Sequence, residues 1–237
     1  MIAWRLEAFD ELGSTSDTCT ARARAGEPQG LAVLALRQTA GRGSRGRSWQ
    51  APEGNLNLSV LLRPARPAVQ AGMFALLAGV SIVEALQSFF ASPASLKWPN
   101  DVLLGGAKLA GVLIDAAPAG AGLDWLVIGI GINLRHAPEI PGRLTTSLAA
   151  HGLQVSPREM ADMLLQRLAH WLDAPDGDIR EAWLNLAHPV GTKLDVSVQN
   201  AKVSGRFAGL SARGELLLAH ENRIDTISTG EVLLGHV

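Results

Sequence analysis

Residues 31–62 read LAVLALRQTAGRGSRGRSWQAPEGNLNLSVLL. Leu31–Leu36 is an unbroken apolar run, the pattern of a buried strand. Further on, Leu56, Leu58, Val60 and Leu62 alternate with Asn57, Ser59 and Leu61, and Pro64 ends the run. That period of two describes a strand with one face fully buried. Between the strands, Arg37–Arg47 carries four arginines (37, 42, 45, 47), three glycines (41, 43, 46) and no acidic residue. Glycines let a backbone turn tightly and approach a ligand, and arginine forks pair with carboxylate or phosphate. Four uncompensated charges beside apolar strands point to an anion-binding loop rather than a solvated connection. Since a strand follows the loop, the dinucleotide fingerprint, which needs a helix there, is excluded. No Gly-x-x-x-x-Gly-Lys-Ser/Thr occurs, so this is not a Walker loop.

Outward from the loop, residues 1–12 read as a strand. Ser14 then offers a helix N-cap with Asp17 three residues on, and the helix should stop at Gly26 before Pro28. Val69–Phe90 reads as a long buried helix. Leu96–Trp98 is a short strand, and Leu109–Ala116 and Trp125–Ile130 are strands around a Pro118–Gly122 turn. Ser156, Pro157 and Glu159 open a helix to about Leu172, and a short helix covers Ile179–Leu186. After His188 and Pro189 the texture changes to five short strands, Thr192–Gln199, Lys202–Leu210, Glu215–Ala219, Arg223–Ile227 and Val232–Leu234, as in a small β-barrel. The expected fold is α+β. A mixed-sheet domain over residues 1–187 has its helices on one face, and a small β-barrel domain spans 188–237.

Composition narrows the function. Of 237 residues 47% are hydrophobic and 18% charged, enough to bury a substantial core. The net charge of −1 gives no global basic field for nucleic acid. Cys19 is the one cysteine, so neither a disulfide nor a cysteine-rich zinc site is available, and it reads as structural. The N-terminus lacks a signal-peptide pattern. The most apolar stretch, Ala71–Val83, is shorter than the roughly 20 residues of a membrane span. The expectation is a cytoplasmic protein.

Three further segments could carry chemistry. In KWPND (97–101), a strand ends at Pro99 with Asn100 and Asp101 just beyond it; an Asn-Asp turn explains those two but not Lys97 within an apolar strand. In GGAKLAG (105–111), Lys108 opens an apolar strand. It is either a solvated edge residue or an inward cation able to neutralise developing negative charge. In GIGIN (129–133), glycines weaken a strand unless a bulge or a ligand needs the room. The six histidines fall in the C-terminal half or in loops, and no Ser-His-Asp set or metal cage is apparent. What remains (Arg, Lys, Asn, Gly and Trp) suits phosphoryl or adenylyl transfer, where positioning and charge neutralisation do most of the work.

Taken together, QTAGRGSRGRSW (38–49), KWPND (97–101), KLAGVLI (108–114), GIGIN (129–133) and the early STS (14–16) resemble, in order and spacing, the biotin protein ligases. The likeness covers nearly the whole chain. It implies a class II synthetase-like catalytic domain with an SH3-like C-terminal barrel, in which Gly230 and Glu231 lie near the end. It implies biotin and ATP as substrates, with Mg²⁺ arriving on ATP and no metal site of the chain's own. Biotinyl-5′-AMP forms first, and the biotinyl group then passes to a lysine of a biotin carboxyl carrier protein domain. By that resemblance Ser14, Thr15, Ser16, Gln38, Gly41, Arg42, Gly43, Ser44, Lys108, Gly111, Gly129 and Gly131 bind biotin. Arg45, Trp49, Lys97, Asn100, Lys108 and Asn133 serve ATP, with Trp49 on the adenine. Arg42, Lys108 and Asp101 are the catalytic residues; Asp101 either deprotonates the incoming lysine or orients Lys108, the second being favoured.

No winged helix-turn-helix precedes the catalytic segments, so no DNA partner is expected, and none in a membrane. The family often dimerises through sheet edges, which leaves a homodimer open. Ser44 departs from the family's usual second arginine, implying weaker retention of the intermediate. The nearest alternatives are a lipoate ligase or octanoyl transferase, which KWPND argues against, and a non-catalytic sensor, which could dispense with Lys108.

Overall fold

In the computed structural model, which describes residues 2–50, 52–91, 93–199 and 201–233, seven strands make one mixed sheet. They are β1 (Arg5–Leu12), β2 (Leu31–Gln38), β3 (Leu56–Leu62), β4 (Ala94–Lys97), β5 (Asp101–Leu104), β6 (Ala107–Ala119) and β7 (Gly122–Ile132). Their order is β1-β2-β3-β7-β6-β5-β4. Only β1 and β2 run parallel. Parallel neighbours need a crossover connection, and α1 (Thr15–Arg24) supplies it, capped by Ser14, whose side chain accepts from Asp17 N.

That crossover corrects the expectation of helices on one face. α2 (Ala71–Gln87), α3 (Pro157–Leu172) and α4 (Asp176–Asn185) contribute to the main core, with Leu34, Leu56, Leu58 and Ile128 of the sheet. α1 covers the opposite face, where Cys19 and Ala23 pack on Leu31, Val33, Leu61 and Val127. Covered on both sides, β3 is buried at all seven positions, not only on one face.

The segment Ala68–Gln87 has 20 residues and a mean hydropathy of 1.8, so by length and composition it could cross a membrane, contrary to the expectation from its shorter core. Instead 72% of its most apolar window is buried in the fold. Its apolarity is accounted for by packing against the sheet, α3 and α4.

β5 was not anticipated. It is four residues long and turns directly into β6 through Gly105 (φ +59°) and Gly106 (φ +79°), a conformation glycine adopts without strain. β6 and β7 also run longer than expected and form a tight hairpin.

The C-terminal strands β8 (Lys193–Val198), β9 (Ala201–Leu210), β10 (Leu216–Ala219), β11 (Ile224–Ile227) and β12 (Glu231–Leu233) form a second, antiparallel sheet ordered β11-β10-β9-β8-β12. Leu234 of the expected last strand, and Met1 of the first, lie outside the described residues. A side chain at Gly230 would press on both Ile227 of β11 and Val196 of β8. The ends of the strand order therefore curl toward one another, as in a small barrel. This sheet shares the main core: Trp183 of α4 meets Phe207 of β9 edge-on at 6.5 Å, and Trp98 Nε1 donates to Gly214 O at 3.1 Å.

Candidate active site

The strand register brings the glycines together. Opposite residues of an antiparallel pair share a face. Asn57 of β3 lies opposite Gly131 of β7, which lies opposite Gly111 of β6; one step along, Ser59, Gly129 and Leu113 form a second row. Both rows face α1. Asn57, Gly131, Gly111, Gly129 and Leu113 form the floor of a cleft lined also by Ser14, Thr15, Ser16, Gln38, Trp49, Asn100 and Lys108, with Ser59 fully buried beneath it. The Trp49 ring rests on Gly131 and Gly111, leaving a free volume of about 40 Å³.

The wall is polar and mutually bonded. Thr15 N and Oγ1 both donate to Gln38 Oε1 (2.7 and 3.1 Å), and Gln38 Nε2 donates to Asn57 Oδ1 at 3.3 Å. Ser59 Oγ lies 2.8 Å from Thr15 Oγ1 and 3.1 Å from Ser16 Oγ. The glycines keep the floor low: a Cβ at Gly129 would overlap Ser16 Oγ, and one at Gly131 would overlap the Trp49 ring.

Lys108 points inward because β6 contains a bulge. The β5–β6 register shifts between Val102 and Leu103, so Leu109 and Ala110 both enter the main core and Lys108 turns to the face of Gly111. A Cβ at Gly111 would stand 3.3 Å from Lys108 Nζ, and the ammonium lies 5.7 Å from the Trp49 ring centroid. Lys108 Nζ donates to Asp101 Oδ1 at 2.5 Å, while Lys97 Nζ pairs with Asp101 Oδ2 at 3.0 Å. Burial alone would push the Asp101 carboxyl up, but the charges of Lys108 and Lys97 outweigh it and hold the group below the usual carboxylate range. Behind Lys97, burial and that lysine's charge push the His188 imidazole down.

Above the floor lies the arginine loop. Its neck is closed by Trp49 N donating to Gly41 O at 2.9 Å, and Arg45 takes a left-handed conformation (φ +59°). The four arginines are not uncompensated, as the sequence suggested. Arg37 pairs with Glu11 at 2.9 Å. Arg42 Nε pairs with Asp17 Oδ1 at 2.8 Å and Nη2 with Asp115 Oδ2 at 2.5 Å, and the bond to Asp115 raises its pKa. Arg45 and Arg47 reach Glu231 of the second sheet at 3.4 and 3.3 Å, where Arg143 also pairs. Arg47 folds back as well, donating to Ser44 Oγ at 2.9 Å.

Of the residues singled out from sequence, Ser14, Thr15, Ser16, Gln38, Arg42, Gly43, Ser44, Trp49, Asn100, Lys108, Gly111, Gly129 and Gly131 line the cleft. Five others do not. Gly41 forms the loop neck, where a Cβ would overlap Trp49 O. Arg45 is turned to Glu231. Lys97 and Asp101 stand behind Lys108. Asn133 is buried, with Nδ2 donating to Thr146 O at 3.0 Å. Asn57, Val112, Leu113 and Ile130 line the cleft but were not anticipated, having read as ordinary strand positions. Cys19 is buried under α1 with its thiol 3.5 Å from Ser59 O and does not line the cleft; burial, with the charge of Glu7, pushes the thiol up to about 12, as befits a structural residue.

Comparison with known proteins fits this geometry. The profile of the Biotin/lipoate A/B protein ligase family matches residues 13–133. A biotin--[acetyl-CoA-carboxylase] ligase of Paracoccus denitrificans is 35% identical over 216 residues, 86% of this chain and 90% of that one. Among solved structures, a biotin protein ligase from Aquifex aeolicus in complex with biotin and ATP superposes with a TM-score of 0.82 at 31% identity, covering 97% of each chain. A biotin protein ligase from Leishmania major in complex with biotinyl-5-AMP superposes at 0.66 and 25% identity, covering 98% of this chain and 99% of that one. The chain belongs to the biotin protein ligases of the Biotin/lipoate A/B protein ligase family.

Proposed function

We propose that the cleft over the glycine floor holds biotin and the α-phosphate of ATP side by side, and that Lys108 is the cation between them. The chain is an ATP-dependent ligase that activates biotin as biotinyl-5′-AMP and transfers the biotinyl group to a lysine. In the first step a biotin carboxylate oxygen attacks the α-phosphorus of ATP; the bond to the β-phosphate oxygen breaks and pyrophosphate leaves with its electrons. In the second, a lysine ε-amine attacks the acyl carbon, the acyl–oxygen bond breaks, AMP leaves and the amine loses a proton. The acceptor is the lysine of a biotin carboxyl carrier domain. Magnesium comes as part of the nucleotide substrate.

The observation that carries the reading is the bulge that turns Lys108 into a cleft floored by Gly111, Gly129 and Gly131. A partly buried ammonium there offsets charge gathering on the carboxylate and the α-phosphate, where shielding from water makes it count more. Asp101 supports an orienting role: each carboxylate oxygen holds a lysine, and it does not line the cleft. Ser14, Thr15, Ser16, Gln38 and Asn57 offer donors and acceptors for a polar ring system, with Ser59 holding Thr15 and Ser16 from beneath. Trp49, whose Nε1 lacks a hydrogen-bond partner, packs beside them to face the nucleotide. Arg42 lines the cleft and, by way of its loop, covers the anhydride. Residues 1–187 carry the cleft, and 188–237 contribute Glu231 at the loop. The reaction is placed in the cytoplasm.

Product identification tests this reading. Incubated with ATP and biotin, the protein should yield biotinyl-5′-AMP and pyrophosphate; with ATP and lipoate or octanoate it should yield neither. Adenylation of lipoate in preference to biotin would overturn it.

A further inference from the structure

The way the arginine loop is fastened carries an inference that rests on this reading of the cleft. From Gly41 to Trp49, the loop's backbone bonds only to itself among the described residues: Gly43 N to Arg47 O (2.7 Å), Arg47 N to Ser44 O (3.3 Å) and Trp49 N to Gly41 O (2.9 Å). Polar attachment to the rest of the molecule runs through arginine side chains. At one end Arg42 bridges Asp17, in the first turn of α1, and Asp115, on β6. At the other, Arg45 and Arg47 reach Glu231. Otherwise the Trp49 ring rests on Gly111 and Gly131.

We propose that Asp17 and Asp115 are positioning residues that hold the loop over the cleft through Arg42, and so set how long biotinyl-5′-AMP is retained. Neither acid lines the cleft. Asp115 sits on the same sheet face as Gly111 and Leu113, two residues beyond the floor, so it anchors the loop at the rim without entering the site. One exposed ion pair adds little. Here a single guanidinium engages two carboxylates from different elements, and no backbone bond competes to hold the loop. Each opening exposes a mixed anhydride to water and to escape. Being ionic and partly exposed, the latch weakens with salt.

Two measurements test it on the full chain. The first is amide hydrogen exchange of the ligand-free protein. Relative to wild type, Asp17→Asn/Asp115→Asn should exchange about fivefold faster over residues 41–49, with β3 and β7 unchanged, and 1 M NaCl should raise wild type toward the variant. The second is release of biotinyl-5′-AMP into solution without acceptor. It should rise about tenfold in the double variant, the opening equilibrium shifting by about the worth of a networked ion pair, while the first-turnover pyrophosphate burst stays within about twofold. Equal exchange over 41–49 would overturn the latch; faster exchange with unchanged release would overturn its role in retention. If wild type forms no biotinyl-5′-AMP, the adenylate reading and the retention role fall together, whereas the exchange comparison still decides whether the acids hold the loop.

Discussion

A single methyl at residue 129 would overlap Ser16 Oγ, itself bonded to Ser59 Oγ. Gly129→Ala should therefore raise the floor under the bound ring. Overpacking of this kind costs about 1–3 kcal/mol, so the KM for biotin should rise by about tenfold with the KM for ATP little changed; an unaltered biotin KM would remove Gly129 from the floor. At this scale the sequence was legible where residue type is unusual for its place: a lysine opening an apolar strand, glycines within another, a tryptophan after an arginine loop. It was illegible where type is ordinary. Asn57 and Ser59 read as the polar half of an alternating strand, and only the register beside Gly131 and Gly129 gives Asn57 a cleft to face and puts Ser59 beneath Thr15 and Ser16. The acids that compensate the arginines were hidden by distance: Asp115 lies 73 residues from Arg42, and Glu231 lies 186 from Arg45.

Among the elements, α3 was readable to its first residue because its start is written in local chemistry. Ser156 Oγ accepts from Glu159 N at 3.2 Å, Glu159 Oε2 accepts from Ser156 N at 3.0 Å, and Pro157 opens the helix. Ser156→Ala removes one half of this capping box and should cost about 1 kcal/mol, lowering Tm by about 2–4 °C without affecting ligation; an unchanged Tm would show that the cap adds nothing. β5 shows the opposite case. Its four residues carry no period, and it forms because a two-glycine turn returns the chain beside β6. The bulge that follows was equally silent, although it decides whether Lys108 faces the core or the cleft. α1 was foreseen as a helix but not on its own face, since the parallel pairing of β1 and β2 is a property of the sheet.

Over the whole molecule, the two faces of the seven-stranded sheet do different work. One packs α2, α3, α4 and the second sheet into a continuous apolar core; the other carries α1 and, beyond it, the cleft with its arginine loop. At the cleft mouth the charges are paired locally: Arg42 bridges Asp17 and Asp115, Arg45, Arg47 and Arg143 converge on Glu231, and Lys108 and Lys97 share Asp101. The central claim is that this cleft joins biotin to the α-phosphate of ATP with Lys108 as the neutralising cation. Isotope exchange between pyrophosphate and ATP measures that step in the intact enzyme, without any carrier protein. In wild type the exchange should require biotin, and in a folded Lys108→Ala variant it should fall by about a hundredfold or more. Exchange that proceeds without biotin, or that survives unchanged in Lys108→Ala, would contradict the account.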